Sequence, residues 1–179
     1  MADMASPIFT TFPILTTERL ILRRLSEDDQ NEIFLLRSDE KINRYIDRPR
    51  PVNISDAVEF IRKISMGIDK KESLYWAICF KDNPLLIGTI CLWNFSDDRQ
   101  TAEIGYELQS NYQGQGIMYE AINCIIRFAF DKILLKRIDA FTQQGNSKSV
   151  RLLENCNFLL ESEKIDEDNL LNRIYSLTK

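Results

Sequence analysis

The sequence predicts a single α/β domain of the α+β kind, with a central mixed, mostly antiparallel sheet flanked by helices. Three observations predict it. The 179 residues suit one hydrophobic core. Helical and strand-like apolar patterns interleave along the chain, and three consecutive strand patterns over residues 74–108 are joined by short polar turns, which marks an antiparallel meander. A hydrophobic fraction of 44% and a charged fraction of 28% are ordinary for a folded soluble chain.

Taken in order, residues 1–14 are expected to be a loose N-terminal segment and residues 15–179 the domain. Leu20 and Leu22 alternate with Ile21 and Arg23 in a half-buried strand. Ser26, followed by Glu27, Asp28 and Asp29, marks a helix start that the dipole favours, with the helix ending near Ser38. A short helical piece over residues 39–45 leads to Arg48-Pro49-Arg50-Pro51, whose prolines force extended backbone before them. Ala57, Phe60, Ile61 and Ile64 then repeat at helical spacing after Asn53 or Ser55, with Gly67 as the left-handed residue at the helix end. Leu74–Phe80, residues 85–93 and Thr101–Leu108 form the meander, with residues 81–84 as the first turn. The wide apolar stripe of Ile117, Ala121, Cys124, Ile125 and Phe128 predicts a helix packed on the sheet. A strand over 137–142, a helix over Ser147–Asn155 and two closing strands over 158–164 and 172–177 complete the chain.

Several function classes are excluded by composition. There is no histidine, so an imidazole base, a Ser-His-Asp mechanism and a His-ligated zinc are absent. A net charge of −4 provides no broad basic field, so no nucleic-acid or membrane partner is expected. Cys79, Cys91, Cys124 and Cys156 are scattered through apolar stretches and read as buried reduced thiols. With no signal-peptide pattern and no long apolar run, a cytoplasmic protein is expected, as a monomer or homodimer.

The most informative motif is Gln113-Gly114-Gln115-Gly116, placed after a strand and opening a helix. Glycines there let backbone approach a phosphate while free N–H groups at the helix N-terminus point at it. A plain helix-opening turn needs no ligand, and the spacing alone leaves both readings open. A dinucleotide fold wants Gly or Ala where Tyr119 stands, and a nucleoside-triphosphate loop wants Lys-Ser or Lys-Thr where Ile117-Met118 stand.

Around that turn, Glu103-Ile104-Gly105-Tyr106-Glu107-Leu108, Tyr112-Gln113-Gly114-Gln115-Gly116-Ile117-Met118-Tyr119-Glu120-Ala121 and Asn146-Ser147-Lys148-Ser149-Val150-Arg151-Leu152-Leu153-Glu154 resemble the GNAT acetyltransferases. Within them the chain resembles the branch that acetylates the N-terminal amines of ribosomal proteins. Leu15-Thr16-Thr17-Glu18-Arg19-Leu20-Ile21-Leu22-Arg23 is similar to that branch's opening strand, and Ile87-Gly88-Thr89-Ile90-Cys91-Leu92-Trp93-Asn94 to its central hairpin. The resemblance spans about residues 15–177. It implies acetyl coenzyme A as cofactor, its pyrophosphate held by the backbone N–H groups of Gln113, Gly114, Gln115, Gly116, Ile117 and Met118. It also implies that Thr101–Leu108 diverges from the strand at 137–142 to admit the pantetheine arm.

Acetyl transfer from a thioester to an amine needs a neutral nucleophile, stabilisation of an oxyanion and protonation of the departing thiolate. Glu103 and Glu107 share one strand face, which faces solvent or a cleft. Given the resemblance, Glu103 is the base, acting through water, and Glu107 orients the substrate. Asn146 and Ser147 suit a helix cap; the resemblance adds a contact of Asn146 with the pantetheine arm and an approach of Ser149 to the sulfur, as the acid if there is one. Leu153 stands where other acetyltransferases of this fold carry a Tyr, and Asn157 replaces their helix-ending Gly. Trp93 and Asn94 are expected to line the acceptor pocket, with core packing as the alternative for Trp93; Trp76 is expected in the core, and Arg48 and Arg50 read as surface residues, the alternative being contact with an acidic substrate or the adenosine end of the cofactor. The expected reaction is direct attack of an amine on acetyl coenzyme A. Acceptors left open are a protein N-terminus, another protein amine, a polyamine or an aminoglycoside-like molecule, with a non-catalytic acyl-coenzyme-A-binding domain as the alternative.

Overall fold

Leu20 and Leu22 are fully buried and their neighbours Ile21 and Arg23 are not. The alternation in the sequence thus becomes strand β2 (Leu20–Arg24), paired antiparallel with the two-residue β1 (Leu15–Thr16). The computed structural model describes residues 11–179. The first ten residues of the segment expected to be loose lie outside that range. Over the remainder, Phe12 packs on Trp76 at 5.6 Å between ring centroids, and the Pro13 carbonyl accepts a 2.8 Å bond from Trp76 Nε1.

Ser26 caps the helical segment as expected, its first turn over Glu27–Asp29 being 3-10 and running directly into helix α1 (Gln30–Ser38). Asp29 is buried, accepts from the Ser26 N–H at 2.9 Å and grips Arg23 through both oxygens at 2.6 and 2.9 Å. Helix α2 (Glu40–Asn43) is capped by Asp39. Helix α3 (Ile54–Asp69) is capped by Asn53, whose side chain accepts from the Asp56 N–H. Gly67 does not end α3. The helix runs on until Ile68 is buried, and Lys71 is the left-handed residue, at φ 62°.

The meander is β3 (Leu74–Phe80), β4 (Asn83–Trp93) and β5 (Thr101–Leu108). Asn83 pairs directly with Phe80, so the turn shrinks to Lys81-Asp82. Helix α4 (Ile117–Asp131), β6 (Arg137–Gln143) and α5 (Ser147–Asn155) follow where the sequence places them. The first closing strand does not reach its expected length: β7 is only Leu159–Leu160, while β8 is Asn172–Thr178. Asp166 accepts from the N–H groups of Asp168 and Asn169, which folds the intervening chain into a turn rather than a ladder. Asn157 ends α5 at φ 65°, the conformation expected of it.

The eight strands form one sheet in the order β1-β2-β3-β4-β5-β6-β8-β7, antiparallel throughout except for β5 and β6. One face, with Leu22, Trp76, Ile90 and Ile104, packs on Ile117, Ala121, Ile125 and Phe128 of α4. The other, with Tyr75, Ala77 and Cys79, packs on Ile33 of α1 and Ala57 and Ile61 of α3. Trp76 is fully buried. All four cysteines are free thiols, and only Cys91 is less than buried. Among the described residues no helix is long and apolar enough to cross a membrane.

Candidate active site

Period-2 geometry and one strand mismatch build the site. β5 is paired with β4 along its length, from Trp93↔Glu103 to Gly88↔Leu108. Its parallel pairing with β6 stops after Thr101↔Arg137, Ala102↔Ile138 and Glu103↔Asp139. β6 meanwhile continues alongside β8 as far as Gln143↔Asn172. The two strands therefore part beyond Glu103, and the backbone edge of residues 104–108 is left without a ladder partner on that side among the described residues.

Alternation sends Glu103, Gly105 and Glu107 to one side of this opening, into a cleft of about 540 Å³ also lined by Cys91, Trp93 and Phe141. Glu103 is half-buried, and its Oε1 accepts a 2.5 Å bond from Asn94 Nδ2, on a residue with φ 47°. Burial pushes the Glu103 carboxyl above its ordinary range; the Asn94 bond opposes this, and the charges of Asp139 and Asp166 add to it. Burial likewise pushes the neighbouring Cys91 thiol up to about 12, which favours the neutral thiol over the nucleophilic thiolate.

Glu107 is held differently. Arg48 grips it with both terminal nitrogens, at 2.5 and 2.6 Å, and both side chains are only 13% exposed. Arg48 Nε also donates to buried Asn43 Oδ1 at 2.8 Å. Arg48 is thus no surface arginine: the Pro49-Arg50-Pro51 stretch turns it inward, while Arg50 stays half-exposed, 3.5 Å from Glu40. Trp93 is 49% exposed and lines the cleft rather than packing in the core.

On the opposite side of the opening, Asn146 caps α5 by accepting from the Ser149 N–H at 3.3 Å. The Ser149 hydroxyl lies 2.7 Å from the Tyr106 hydroxyl. Burial raises the Tyr106 pKa, with the Ser149 bond opposing. Sequence reasoning missed Tyr106, because its alternation with Ile104 and Leu108 reads as core; a phenol therefore stands beside Ser149 even though the α5 position at Leu153 has none.

The glycine turn closes the site. Gly114 and Gly116 have φ 77° and 73°, the left-handed region where a Cβ is strained. A Cβ at Gly114 would meet nothing within 4 Å. The N–H groups of residues 114–119 have no protein acceptor among the described residues and open the fifteen-residue α4. Arg19 and Lys148 flank the turn. Arg19 donates to the Gln115 carbonyl at 3.1 Å and to Glu120 at 2.6 Å, and Lys148 Nζ donates to Gln113 Oε1 at 3.1 Å. Glu120 also accepts from the Thr17 hydroxyl and the Arg19 N–H, and these bonds outweigh burial to hold its carboxyl below the usual range. No sequence signal links Thr17 and Arg19 to a residue more than a hundred positions away. Open backbone donors, a helix N-terminus and two cations fit a pyrophosphate.

Residues 19–159 match the acetyltransferase (GNAT) domain. The chain is 33% identical over 150 residues to the N-acetyltransferase YoaA of Bacillus subtilis, covering 84% of this chain and 85% of that protein. Among solved structures it is similar to the microcin C7 self-immunity acetyltransferase MccE in complex with acetyl-CoA and AMP, with 29% identity, a TM-score of 0.79 and coverage of 91% and 94%. The ribosomal L7/L12 alpha-N-protein acetyltransferase RimL in complex with coenzyme A shares the fold at a TM-score of 0.80, with 16% identity and coverage of 93% and 98%. The chain belongs to the GNAT acetyltransferase family and is an acetyl-coenzyme-A-dependent N-acetyltransferase.

Proposed function

We propose that the acceptor is the α-amine of a protein or peptide, entering the cleft on the Glu103 face of the sheet. The observation that carries this reading is the parting of β5 from β6 just beyond Glu103, with the carboxylate on one side and the Ser149 and Tyr106 hydroxyls on the other. When bound, acetyl coenzyme A supplies the acetyl thioester. The free backbone amides of residues 114–118, with Arg19 and Lys148 beside them, would hold the pyrophosphate, and Asn146 would meet the pantetheine arm; the Gln113 N–H, expected to join them, is instead taken by the Ser110 carbonyl at 3.3 Å.

Glu103 takes the proton that the amine loses as the new C–N bond forms, through an intervening water. Its raised pKa suits this work better than an ordinary carboxylate near 4.3. An α-amine, with a pKa near 7.7–8.0, is already partly neutral at pH 7 and needs less help than a lysine amine near 10.4. As the C–S bond breaks, Ser149 donates to the sulfur and Tyr106 supports that hydroxyl through the bond they share. Glu107, held by Arg48, fixes the acceptor's orientation from the far end of the cleft.

The test is a panel of amines with purified enzyme and acetyl coenzyme A, followed by free-thiol release and mass spectrometry of the product. Peptides with a free α-amine are expected to turn over faster than polyamines or aminoglycosides. A panel in which only lysine side chains or polyamines are acetylated would overturn the α-amine reading.

A further inference from the structure

The charges in the acceptor cleft do not cancel locally. Glu107 and Arg48 neutralise each other in a two-bond pair, and Asn43 takes the third guanidinium nitrogen. Asp139, the carboxylate in register with Glu103, is paired with Arg137 at 2.6 Å. Two charged side chains lining the cleft then remain without an opposite charge in contact among the described residues: Glu103 and Arg37.

Arg37 projects from α1 with its guanidinium carbon 3.8 Å from the centre of the Phe60 ring. Stacking uses the guanidinium face and leaves its in-plane N–H donors for other partners. None of those donors meets a protein acceptor among the described residues, although the side chain is half-buried. Burial, and next the nearby charge of Arg48, lower the Arg37 pKa while Glu107 opposes them, so this cation sits where an added anion is welcome. Arg37 lies at the Glu107 end of the cleft, where the charges of Arg48 and Glu107 act on it, and Glu107 is about 13 Å from Glu103 at roughly 3.3 Å per strand residue.

We infer that Arg37 docks a carboxylate or phosphate carried by the acceptor itself, so that the substrate is an anionic amine with its negative group roughly 10–13 Å from the reacting nitrogen. This deepens the proposed function and rests on its placing of the reacting amine at Glu103, not on that amine being an α-amine: the amine end lies at Glu103 and the anionic end at Arg37. A peptide supplies that chemistry through an acidic residue at its third or fourth position, and a small molecule through a phosphate at the end of an alkyl chain.

The experiment compares matched acceptors. One pair is Ala-Gly-Gly-Asp and Ala-Gly-Gly-Asn, both as C-terminal amides; the other is aminohexyl phosphate and aminohexanol. The wild-type enzyme is expected to prefer the charged member of at least one pair by about tenfold or more in kcat/KM, chiefly through KM, and the pair that discriminates identifies the source of the anion. Arg37→Gln should bring the charged acceptor down to the value of the neutral one, and Arg37→Lys should restore part of the preference. Equal kcat/KM within both pairs overturns the inference and leaves amine acetylation standing. A preference that survives Arg37→Gln, or a loss equal for charged and neutral acceptors in a folded variant, also overturns it. Absence of product from all four acceptors, with acetyl coenzyme A bound, removes the acceptor reading along with it.

Discussion

The Tyr106 and Ser149 hydroxyls meet at 2.7 Å across the opening between β5 and β6. This bond ties the diverging part of β5 to the first turn of α5, and in the proposed reaction it gives Ser149 a partner that replaces the proton donated to sulfur. Ser149→Ala should lower kcat by roughly ten- to a thousandfold with little change in acetyl coenzyme A affinity, as for loss of one transition-state hydrogen bond. Tyr106→Phe should lower kcat as well, and the double variant should lose less than the product of the two single losses, because both act on one proton path. Independent, multiplicative effects would separate the phenol from the chemistry.

Glu103→Gln should keep the fold and the cofactor affinity and lose turnover at neutral pH. Wild-type activity should fall as acid protonates Glu103, at a pH above the usual carboxylate range because its pKa is raised. The variant's activity should climb with pH where the wild type has levelled off, since a more basic solution supplies the neutral amine directly. Parallel pH profiles with equal maximal rates would remove Glu103 as the base.

The same residue carries a stability signature. A carboxyl whose folded pKa is raised binds its proton more tightly in the native state, so ionisation costs stability as pH rises from the unfolded value through the folded one. Glu103→Gln should therefore melt higher than wild type at neutral pH. The difference should vanish below the ordinary carboxylate pKa, where both side chains are uncharged. Melting curves across that range check the sign.

Arg48→Ala should destabilise the fold by about 3–5 kcal/mol, because it leaves the desolvated Glu107 without its two-bond partner. Replacing both, as Arg48→Met with Glu107→Leu, should recover most of that loss. Urea unfolding measures each step; a single variant as stable as the double one would mean that Glu107 finds water or another cation.

Gly116→Val should abolish acetyl coenzyme A binding measured by calorimetry. At φ 73° a residue with a Cβ is strained by roughly 1–2 kcal/mol, and a branched one more, so the turn must shift its N–H groups. A folded variant with unchanged affinity would remove the phosphate cradle from this turn.

Much of the fold was legible because it is written in local periodicity. The bounds of β3 follow from a run of aromatic and β-forming residues, those of β5 from alternation and those of α5 from capping. The end of α3 was missed where a tertiary contact overrode the local signal: burial of Ile68 carried the helix past Gly67. The same holds for the site. The glycine turn and the shared face of Glu103 and Glu107 are sequence-local features, whereas Arg48 reads as exposed until Glu107 is seen to bind it from 59 positions away.

The sequence by itself determined the meander, the glycine turn opening α4, the absence of imidazole chemistry and the sharing of one strand face by the two carboxylates, because each depends on residue type and short-range period. Only the tertiary structure decided which of those groups meet. The parting of β5 from β6, the Tyr106–Ser149 bond, the Arg19–Glu120 clamp on the glycine turn and the unpaired Arg37 in the cleft all depend on segments far apart in the chain. Their physical origin is sheet topology: one parallel pairing in an otherwise antiparallel sheet places α4 and α5 on one face and α1 and α3 on the other, and side chains from both converge on the gap where that pairing ends.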